Sequence, residues 1–524
     1  MVILIESGAD VTLKDTQGFN IVHLSIHSFN LPSLIYSLSF TQIEIDEPDA
    51  QGHTPLMWAA YQGFPAAVKI LLKNGADVHK RDQTLFTPLH WAVVKGSREI
   101  ITELILSGSD LKATDDQGKA PKDIANNSKT TVGWELALKL ANRSAKTLDK
   151  FHFTLSVKRT KQLLIILPLL AMPLFFFTFI TLPWAIAILF FLIESFLIFK
   201  VILQYVMSIT LPKISLNETP MLASVFLTSC LIVFVNYFNN LLKPTLSEFF
   251  YTNFVFSCTF AASLYFYFDA TLSDPGSIKK NRYIRDKSGF IRNLAKVNML
   301  NNRQFCTTCI VSRPPRSKHC KFCDQCVLKF DHHCPWTYNC IGSNNHRQFI
   351  LFLILLLVAI GYYEYIGFQY LLMNEHVYIP EQITCFLTEE VCAKFQFDSF
   401  TCYGMLWALF QATWLVILLF YQLYLIAKNQ TTNESLNHDK YALALPFATG
   451  EVITNNEHNQ SKGCMKYFIK SGENRNQRGN SKNKYDKGLF GNCAEFWGAS
   501  ENSKLFSENQ NTYQEVPLQE INTS

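Results

Sequence analysis

Long apolar runs constrain what this chain can fold into more than any other feature of its sequence. The first run, residues 162–193, contains 32 positions without a charged side chain, whereas about 20 apolar residues are enough for one membrane-spanning helix. Pro183 lies inside the run and favours a break, because proline lacks the N–H that a helix interior requires. The run therefore predicts two consecutive membrane helices.

Four further apolar runs are each about as long as a bilayer core requires. They occupy residues 221–238, 249–268, 349–372 and 403–427. Six spans are thus expected in total. Hydrophobic residues make up 48% of the chain and charged residues 17%, which excludes an ordinary soluble enzyme and a chain disordered throughout. The formal charge of +5 is too small to indicate a nucleic-acid partner, so the lipid bilayer is the expected partner.

The charges of the loops predict the orientation of these spans. Residues 271–348 carry 14 Lys/Arg against 4 Asp/Glu, and positive residues gather on the cytosolic side of a membrane. The loop between the fifth and sixth spans is acidic, as expected on the opposite side. Its cysteines, Cys385, Cys392 and Cys402, would lie in an oxidising compartment. Either one disulfide among them or free thiols are expected there, and the sequence does not decide between the two.

The first 125 residues repeat at a fixed offset. TPLM at 54–57 recurs as TPLH at 87–90, and GAD at 75–77 recurs as GSD at 108–110, in both cases 33 residues later. This pattern resembles ankyrin repeats, in which each unit is a turn plus two short helices that bury their apolar faces against neighbouring units. Trp58 and Trp91 are expected to pack between repeats. Because the first residues align with the end of a repeat, repeats are expected to be missing at the N-terminus, with a short natural form as the alternative.

Half of the 14 cysteines lie within 35 residues. Nine candidate metal ligands fall in this loop: Cys306, Cys309, His319, Cys320, Cys323, Cys326, His333, Cys334 and Cys340. Zinc takes four ligands, so two tetrahedral sites use eight of them and one cysteine is left over. Metal ligation is favoured over a secreted disulfide framework, because the sequence MVILIESGAD does not resemble a signal peptide. Zinc with a purely structural role stays open at this point.

The tetrapeptide Asp331-His332-His333-Cys334 indicates a more specific function for the loop than zinc binding alone. Residues 306–349 resemble the cysteine-rich domain of DHHC-type protein S-acyltransferases. The residues that carry the resemblance, besides the tetrapeptide, are Arg313, Pro314, Arg316, His319, Cys320, Trp336, Asn339, Cys340, Gly342 and Asn345. DPG at 274–276 and TTNE at 431–434 resemble two further motifs of the family. With ankyrin repeats and six spans, the chain is similar to the Akr-type and huntingtin-interacting-protein branch.

The resemblance implies a role for each residue of the loop. One zinc set would be Cys306, Cys309, His319 and Cys326, and the other Cys320, Cys323, His333 and Cys340. Cys334 would be the nucleophile, with His332 as its base and Asp331 orienting the imidazole. Thr432 would support Asp331.

The implied reaction moves a fatty acyl group, palmitoyl above all, from acyl-CoA to Cys334 and then to a cysteine of a substrate protein. The implied cofactors are two structural Zn²⁺ ions, and palmitoyl-CoA is the co-substrate. The ankyrin repeats would recruit part of the substrates. The basic residues Lys279, Lys280, Arg282, Arg285 and Lys287 suit CoA phosphates or, as the default, anionic lipid. Residues 176–180 and 254–268 are expected to wall an apolar slot for the acyl chain.

The expected fold is all-α: an ankyrin solenoid, then a six-helix membrane domain with a cytosolic zinc-binding loop. The expected division is 1–127 ankyrin repeats, 128–161 basic linker, 162–270 spans one to four, 271–348 cysteine-rich domain, 349–427 spans five and six, and 428–524 a partly disordered cytosolic tail. The implied membrane is the Golgi, with endoplasmic reticulum and endosome open.

Two alternatives belong to other classes of protein. A non-catalytic zinc and ankyrin scaffold would share the same domains but would not need Asp331, His332 and Cys334. A cation channel also combines ankyrin repeats with six spans, but it carries its pore segment between the last two spans and no zinc loop before the fifth. The placement of the cysteine-rich loop therefore favours the transferase.

Overall fold

The computed structural model describes residues 1–128, 130–145, 157–182, 184–198, 219–280, 284–297, 300–301, 304–373, 379, 388–437, 483 and 485–498. Arg282, Cys385 and most of the expected disordered tail lie outside the described residues. The described part is predominantly helical.

The N-terminal solenoid consists of short paired helices. They are Val2–Glu6, Ile21–His27, Leu31–Ser37, Pro55–Gln62, Pro65–Lys73, Pro88–Lys95, Arg98–Leu106, Pro121–Asn127 and Thr131–Ala145. The hydroxyl of Thr54 accepts a hydrogen bond from the N–H of Met57 at 3.3 Å, which caps a helix start. Gly63 ends the same helix with φ of 76°, a backbone conformation that favours glycine. These local signals recur at the expected 33-residue spacing, and the predicted repeats are confirmed.

The two repeat tryptophans pack between units, as predicted. The indole N–H of Trp58 donates to Asp49 and that of Trp91 donates to Asp82, each at 2.9 Å. The ring of His53 lies edge-on to both indoles, with centroids 5.4 and 5.3 Å away. Each tryptophan is therefore held by an aspartate of its own repeat, and one histidine joins two repeats.

Five described helices are long and apolar enough to cross a membrane. They are Arg159–Thr181, Met221–Thr245, Phe250–Leu272, His346–Leu372 and Ser399–Ala427. A further apolar helix, Trp184–Leu197, has 14 residues and falls short of the length of a span. One apolar helix ends at Thr181 and the next begins at Trp184, so the predicted division of the first run into two helices is confirmed. The described helices do not establish the predicted count of six spans.

Between these helices lies a loop region of very short antiparallel strands. The strands are β1 Ser277–Ile278, β2 Phe305–Cys306, β3 Val311–Ser312, β4 Lys318–Cys320, β5 Gln325–Val327, β6 His332–Cys334 and β7 Asn339–Ile341. They form a sheet of order β1-β5-β4 and two hairpins, β2-β3 and β6-β7. Strands this short do not form a stable sheet on their own, so other bonds must hold the region.

The solenoid packs against this loop region through an amphipathic helix, Ser288–Lys296. Its buried residues Ile291 and Leu294 join the apolar cluster of the solenoid, as do Phe305 and Ile310 beside the first cysteine pair. The side chain of Asn74 accepts a hydrogen bond from the N–H of Ile284 at 2.9 Å. The repeats and the loop therefore share one core.

Three basic side chains of this region contact protein, which the sequence did not predict. Arg285 donates to the carbonyl of Ile43 in the solenoid at 2.8 Å, and Lys280 pairs with Asp324. Lys73 of the solenoid donates to the carbonyl of Thr308, between the cysteines of the first pair. Arg285 and Lys280 thus contact other residues of the chain and are also exposed, and their contact with CoA or lipid stays a prediction.

Beyond the last long helix, two short helices complete the described fold. Thr432–Leu436 begins with a hydrogen bond from the N–H of Glu434 to the Thr431 hydroxyl. Gly488–Trp497 contacts the Ser399–Ala427 helix, and its Asn492 donates to the carbonyl of Ala427 at 2.8 Å. Cys392, in the acidic loop before the last span, is disulfide-bonded, whereas Cys402, in the first turn of the Ser399–Ala427 helix, is a free thiol.

Candidate active site and metal centres

The first group of metal-ligand side chains is assembled from two hairpins. Cys306 ends β2 and Cys309 lies in the turn that follows it, and His319 lies opposite Cys326 on β4-β5. Their ligand atoms lie within 4.8 Å of one another, and His319 Nδ1 is 3.3 Å from Cys309 Sγ and 4.0 Å from Cys326 Sγ. Tetrahedral zinc requires about 3.5–3.8 Å between such atoms. Three thiols and one imidazole of this geometry fit zinc.

The second group has the same composition and shape. Cys320 and Cys323 lie on β4 and its turn, and His333 lies opposite Cys340 on β6-β7. His333 Nδ1 is 3.4 Å from Cys323 Sγ and 3.8 Å from Cys340 Sγ. The eight residues named from the sequence therefore fall into two groups, in the combination that the resemblance implies.

Strand geometry explains why the two groups interleave in sequence. Neighbouring residues on a strand point to opposite faces. On β4, His319 belongs to the first group and Cys320 to the second. On β6, His333 faces the second group, so His332 and Cys334 point to the other face. Cys334 is the cysteine of the loop that stays outside both groups, among the described residues 304–373.

Two asparagines hold the β6-β7 hairpin against the end of a membrane helix. The side chain of Asn339 donates to the carbonyls of Ala270, Thr271 and Ser273 at 3.0–3.2 Å. Asn345 donates to the carbonyl of Ala270 at 3.0 Å. The last carbonyls of a helix lack partners within it, and these amides supply the missing donors. Cys334 is thereby fixed at one end of the Phe250–Leu272 helix.

Gly342 shows how closely the backbone approaches at this junction. A Cβ atom at this position would lie 2.4 Å from the carbonyl oxygen of Pro275 and 2.5 Å from a methyl of Val327. Any side chain would therefore push β1-β5 away from the hairpin. This explains why a glycine occupies position 342, two residues after Cys340.

Asp331, His332 and Cys334 interact with one another. His332 Nδ1 lies 2.6 Å from the Asp331 carboxylate, and the interaction with His332 lowers the pKa of the Cys334 thiol. Asp331 and Cys334 are buried, 1% and 4% exposed, whereas His332 is partly exposed. The Asp331 contact places the proton on Nδ1 and leaves Nε2 of the ring for the thiol.

The pKa shifts of these groups follow from this arrangement. Burial alone would raise the pKa of the Cys334 thiol, but the polar interaction with His332 and its charge outweigh burial and lower the pKa. Burial also raises the pKa of Asp331, but the imidazoles of His346 and His332 and the N–H of Thr432 hold it well below its usual range. Burial alone would lower the pKa of His332, but the polar interactions with Asp331 and Cys334 and their negative charges outweigh burial and raise the pKa. The carboxylate, imidazolium and thiolate forms stabilise one another.

Residues after the last long helix close the site from behind. The Thr432 hydroxyl donates to Asp331 Oδ2 at 2.8 Å, and its backbone N–H donates to Oδ1 at 2.6 Å. Arg316 holds the same segment by a two-fold hydrogen bond to Glu434 at 2.7 and 2.8 Å. The structure thus brings Thr432 to Asp331, where the resemblance expects it.

An apolar cavity extends from the site into the helical domain. Its lining comes from Trp336 of the β6-β7 turn and from four long helices: Phe226, Ser229, Cys230, Val233, Phe256, Phe260, Leu356, Ala359, Ile360, Tyr363, Trp407, Ala408, Gln411, Trp414 and Leu415. Trp336 stacks on Trp414 with ring centroids 5.0 Å apart. Several of these side chains pack in the same cluster as Cys334.

The sequence identified this lining only in part. Phe256 and Phe260 belong to the predicted wall 254–268, but residues 176–180 do not line this cavity. They pack elsewhere, for example Phe179 against Tyr403. Both segments are apolar and rich in phenylalanine, so composition alone could not show which of them lines the cavity. The sequence analysis also missed Gln422, which contacts Asp331, and His346, which contacts Gln422. For Gln422 the available signal was a polar residue in an apolar run.

The chain matches two protein families. Residues 299–439 match the DHHC palmitoyltransferase family, and residues 1–82 and 22–115 match ankyrin repeats. Over 437 residues the chain is 39% identical to a palmitoyltransferase AKR1 of Mortierella alpina, which covers 83% of this chain and 74% of that protein.

Two further relatives carry the same description. A palmitoyltransferase AKR1 of Lachancea kluyveri is 32% identical over 89% of this chain and 62% of its own length. One of Debaryomyces hansenii is 29% identical over 83% of this chain and 55% of its own length. The chain therefore spans about three quarters of the Mortierella protein and a little over half of the other two.

Proposed function

The chain belongs to the DHHC palmitoyltransferase family, whose members are protein S-acyltransferases, and on that premise we propose that Cys334 carries the acyl group. The observation that supports this most directly is the alternation along β6. His333 turns toward a metal group, while Cys334 and His332 share the opposite face with Asp331 behind them. One thiol of the loop is thereby left free to react.

The reaction proceeds in two exchanges of one thioester for another. The Cys334 thiolate attacks the carbonyl carbon of acyl-CoA; the bond to the CoA sulfur breaks as the bond to Cys334 forms, and the CoA thiolate takes up a proton. The thiolate of a substrate protein then attacks the same carbonyl carbon and releases Cys334. His332 accepts and returns the thiol proton in each step, and Asp331 holds its ring. Because both bonds are thioesters, little driving force is needed.

Two zinc ions fit the two ligand groups. Each group offers three thiols and one imidazole, the ligand types and the spacing that tetrahedral zinc takes. Bound zinc would supply structural cross-links between the short hairpins. The chain's own residues then do the rest: Asn339 and Asn345 hold the hairpin on its helix, and Thr432 holds Asp331.

The cavity is the proposed site of the acyl chain. Its lining is almost entirely apolar, and Trp336 at one end is two residues from Cys334. At the other end, the hydroxyl of Tyr363 accepts a hydrogen bond from Asn236 at 2.7 Å, which ties two of the lining helices together. A fatty chain bound there would be shielded from water, which is favourable in proportion to the area buried.

We place this machinery in a membrane with six spans, as the apolar runs of the sequence predict. The basic loop 271–348, the repeats and the tail then face the cytosol, and the acidic loop with Cys392 faces the lumen. The division into six segments given above is kept as part of the proposal, as are a Golgi location and recruitment of substrate proteins by the repeats.

The test is acylation of the purified chain by labelled palmitoyl-CoA. Wild type is expected to take up label that hydroxylamine releases, and Cys334→Ser is expected to take up none while retaining metal. Cys258→Ser, which removes an exposed thiol of a membrane helix, serves as the matched control and should label as wild type does. If wild type takes up no label while it binds two zinc ions, the chain is a zinc and ankyrin scaffold instead.

A further inference from the structure

A buried chain of polar side chains lies behind Asp331 and reaches it from the long helices. His346 begins the His346–Leu372 helix, and Gln422 lies in the last two turns of Ser399–Ala427. Gln422 is 1% exposed and His346 is 6% exposed. A polar side chain in an apolar helix is costly unless it is paired. Its presence here therefore needs a reason beyond packing.

Both ends of the Gln422 amide have partners. Its Nε2 lies 3.0 Å from the Thr432 hydroxyl and 3.3 Å from Asp331 Oδ2, and its Oε1 lies 3.1 Å from His346 Nε2. A carboxylate only accepts hydrogen bonds, so the nitrogen must face Asp331 and the oxygen must face His346. His346 then donates from Nε2. The orientation of the amide is thus fixed by chemistry on both sides.

The contact affects the oxygen of Asp331 that also holds the catalytic imidazole. Oδ2 accepts from His332 Nδ1 at 2.6 Å, from the Thr432 hydroxyl at 2.8 Å and from Gln422. Hydrogen bonds to an ionised acceptor are the strong ones. These three donors together restrict the orientation of the carboxylate. Because His332 is hydrogen-bonded to it, the orientation of the His332 ring is restricted as well.

We propose that Gln422 is a positioning residue for acyl transfer. Resting on the proposed function, this assigns to its amide the task of holding the Asp331 carboxylate so that His332 faces Cys334. Gln422 acts through Asp331 and does not touch the reacting atoms. His346 fixes the amide in turn, and the ring of Phe496 packs edge-on to His346 with centroids 5.1 Å apart. The last long helix and the C-terminal helix are thereby coupled to the thiol.

Two substitutions separate positioning from packing. Gln422→Met keeps the length of the side chain and removes both hydrogen-bonding groups. Gln422→Glu keeps the shape and places an oxygen where the nitrogen lies, 3.3 Å from Asp331 Oδ2, so that acceptor faces acceptor. A residue that only fills space would tolerate methionine best, because volume-conserving swaps are well tolerated in cores.

The experiment uses the full chain reconstituted in phospholipid nanodiscs. It measures the single-turnover rate of Cys334 acylation against palmitoyl-CoA concentration, the rate of Cys334 alkylation by iodoacetamide, the zinc content and the melting temperature. Gln369→Met and Gln369→Glu, at a half-buried glutamine of the His346–Leu372 helix, are the matched controls and should behave as wild type does.

The expected result is a lower maximal rate without a change in the half-saturating concentration. Loss of a hydrogen bond to a charged group predicts about a tenfold loss for Gln422→Met and a larger loss for Gln422→Glu, with alkylation slowed in parallel and with zinc and melting temperature retained. Wild-type rates in Gln422→Met would overturn the proposal, and so would a rate loss matched by loss of zinc and melting temperature. If wild type itself is not acylated, the proposed function fails instead.

Discussion

Single residues decide which sulfur of the loop is available. Along β6, successive side chains point to opposite faces, so that His333 faces a metal-ligand group whereas His332 and Cys334 lie on the other face. The carboxylate of Asp331 then orients His332, and four hydrogen bonds to its two oxygens fix it in place. Whether a side chain of this loop can react therefore depends on the strand face to which it points as well as on its residue type.

Asp331→Asn should leave the fold intact and slow acylation of Cys334 strongly. The amide keeps the shape of the carboxylate, but it can no longer hold the Nδ1–H form of His332 or stabilise its charge. By analogy with acid-imidazole pairs in hydrolases, we expect a loss of about a hundredfold or more in the single-turnover rate. The exposed Asp286 provides the control, since Asp286→Asn should not change the rate. A wild-type rate in Asp331→Asn would contradict the role of this carboxylate.

Zinc stoichiometry should follow the assignment of each cysteine. Wild type is expected to bind two zinc ions per chain, and Cys334→Ser is expected to bind two as well, because that sulfur lies outside both groups. Cys306→Ser should lower the content to about one, and so should Cys340→Ser, since structural zinc needs four ligands. Elemental analysis of the purified variants measures this. A loss of zinc in Cys334→Ser would place that sulfur in a metal site.

At the scale of elements, the loop depends on its neighbours for shape. Its strands have two or three residues each, too few to be stable alone. Metal groups, the C-terminus of the Phe250–Leu272 helix and the Thr432–Leu436 segment fix it from three sides. The four long helices around the cavity in turn set the space beneath Cys334.

Filling the cavity should shift acyl-chain preference toward shorter chains. Ala408 lines the cavity and is 4% exposed, so Ala408→Phe puts a ring into the space that a long chain would use. Overpacking costs about 1–3 kcal/mol, and we expect about a tenfold loss of rate with palmitoyl-CoA but little loss with lauroyl-CoA. Competition between the two labelled donors measures this ratio. Leu409→Phe, at an exposed position of the same helix, is the control; an equal loss with both donors would place the acyl chain elsewhere.

At the scale of the whole molecule, the repeats and the cysteine-rich loop are one unit. The Ser288–Lys296 helix, Phe305 and Ile310 share a core with the solenoid, and Lys73 contacts the turn of the first cysteine pair. The repeats therefore support the first metal group in addition to any role in binding other proteins.

Ile291→Asp should release the solenoid from the loop. The substitution buries an unpaired charge in the shared core, where Ile291 is fully buried, and such a charge costs several kcal/mol. Limited trypsin digestion should then cut between residues 279 and 304 much faster than in wild type. Asn293→Asp puts the same charge on the exposed face of the same helix and should leave digestion unchanged. Equal digestion of both variants would mean that the solenoid is not docked.

The sequence alone determined the local features of this protein. A 33-residue repeat predicts the ankyrin units, runs of about 20 apolar residues predict the membrane helices, and Cys-x2-Cys steps predict the metal ligands. Each of these patterns depends on residues that are close together in the chain. Family resemblance added the grouping of the ligands and the contact of Thr432 with Asp331. All of these patterns could be read without coordinates.

Tertiary structure decided what distant residues do together. Gln422 and Asp331 are 91 positions apart, and Asn74 and Ile284 are 210 apart, so no local pattern connects either pair. The residues that line the cavity could not be predicted for the same reason. Every span is apolar, and only the packing of the helices decides which helix faces line the cavity. Short-range periodicity fixes elements, whereas burial and hydrogen-bond satisfaction across the folded chain fix the site.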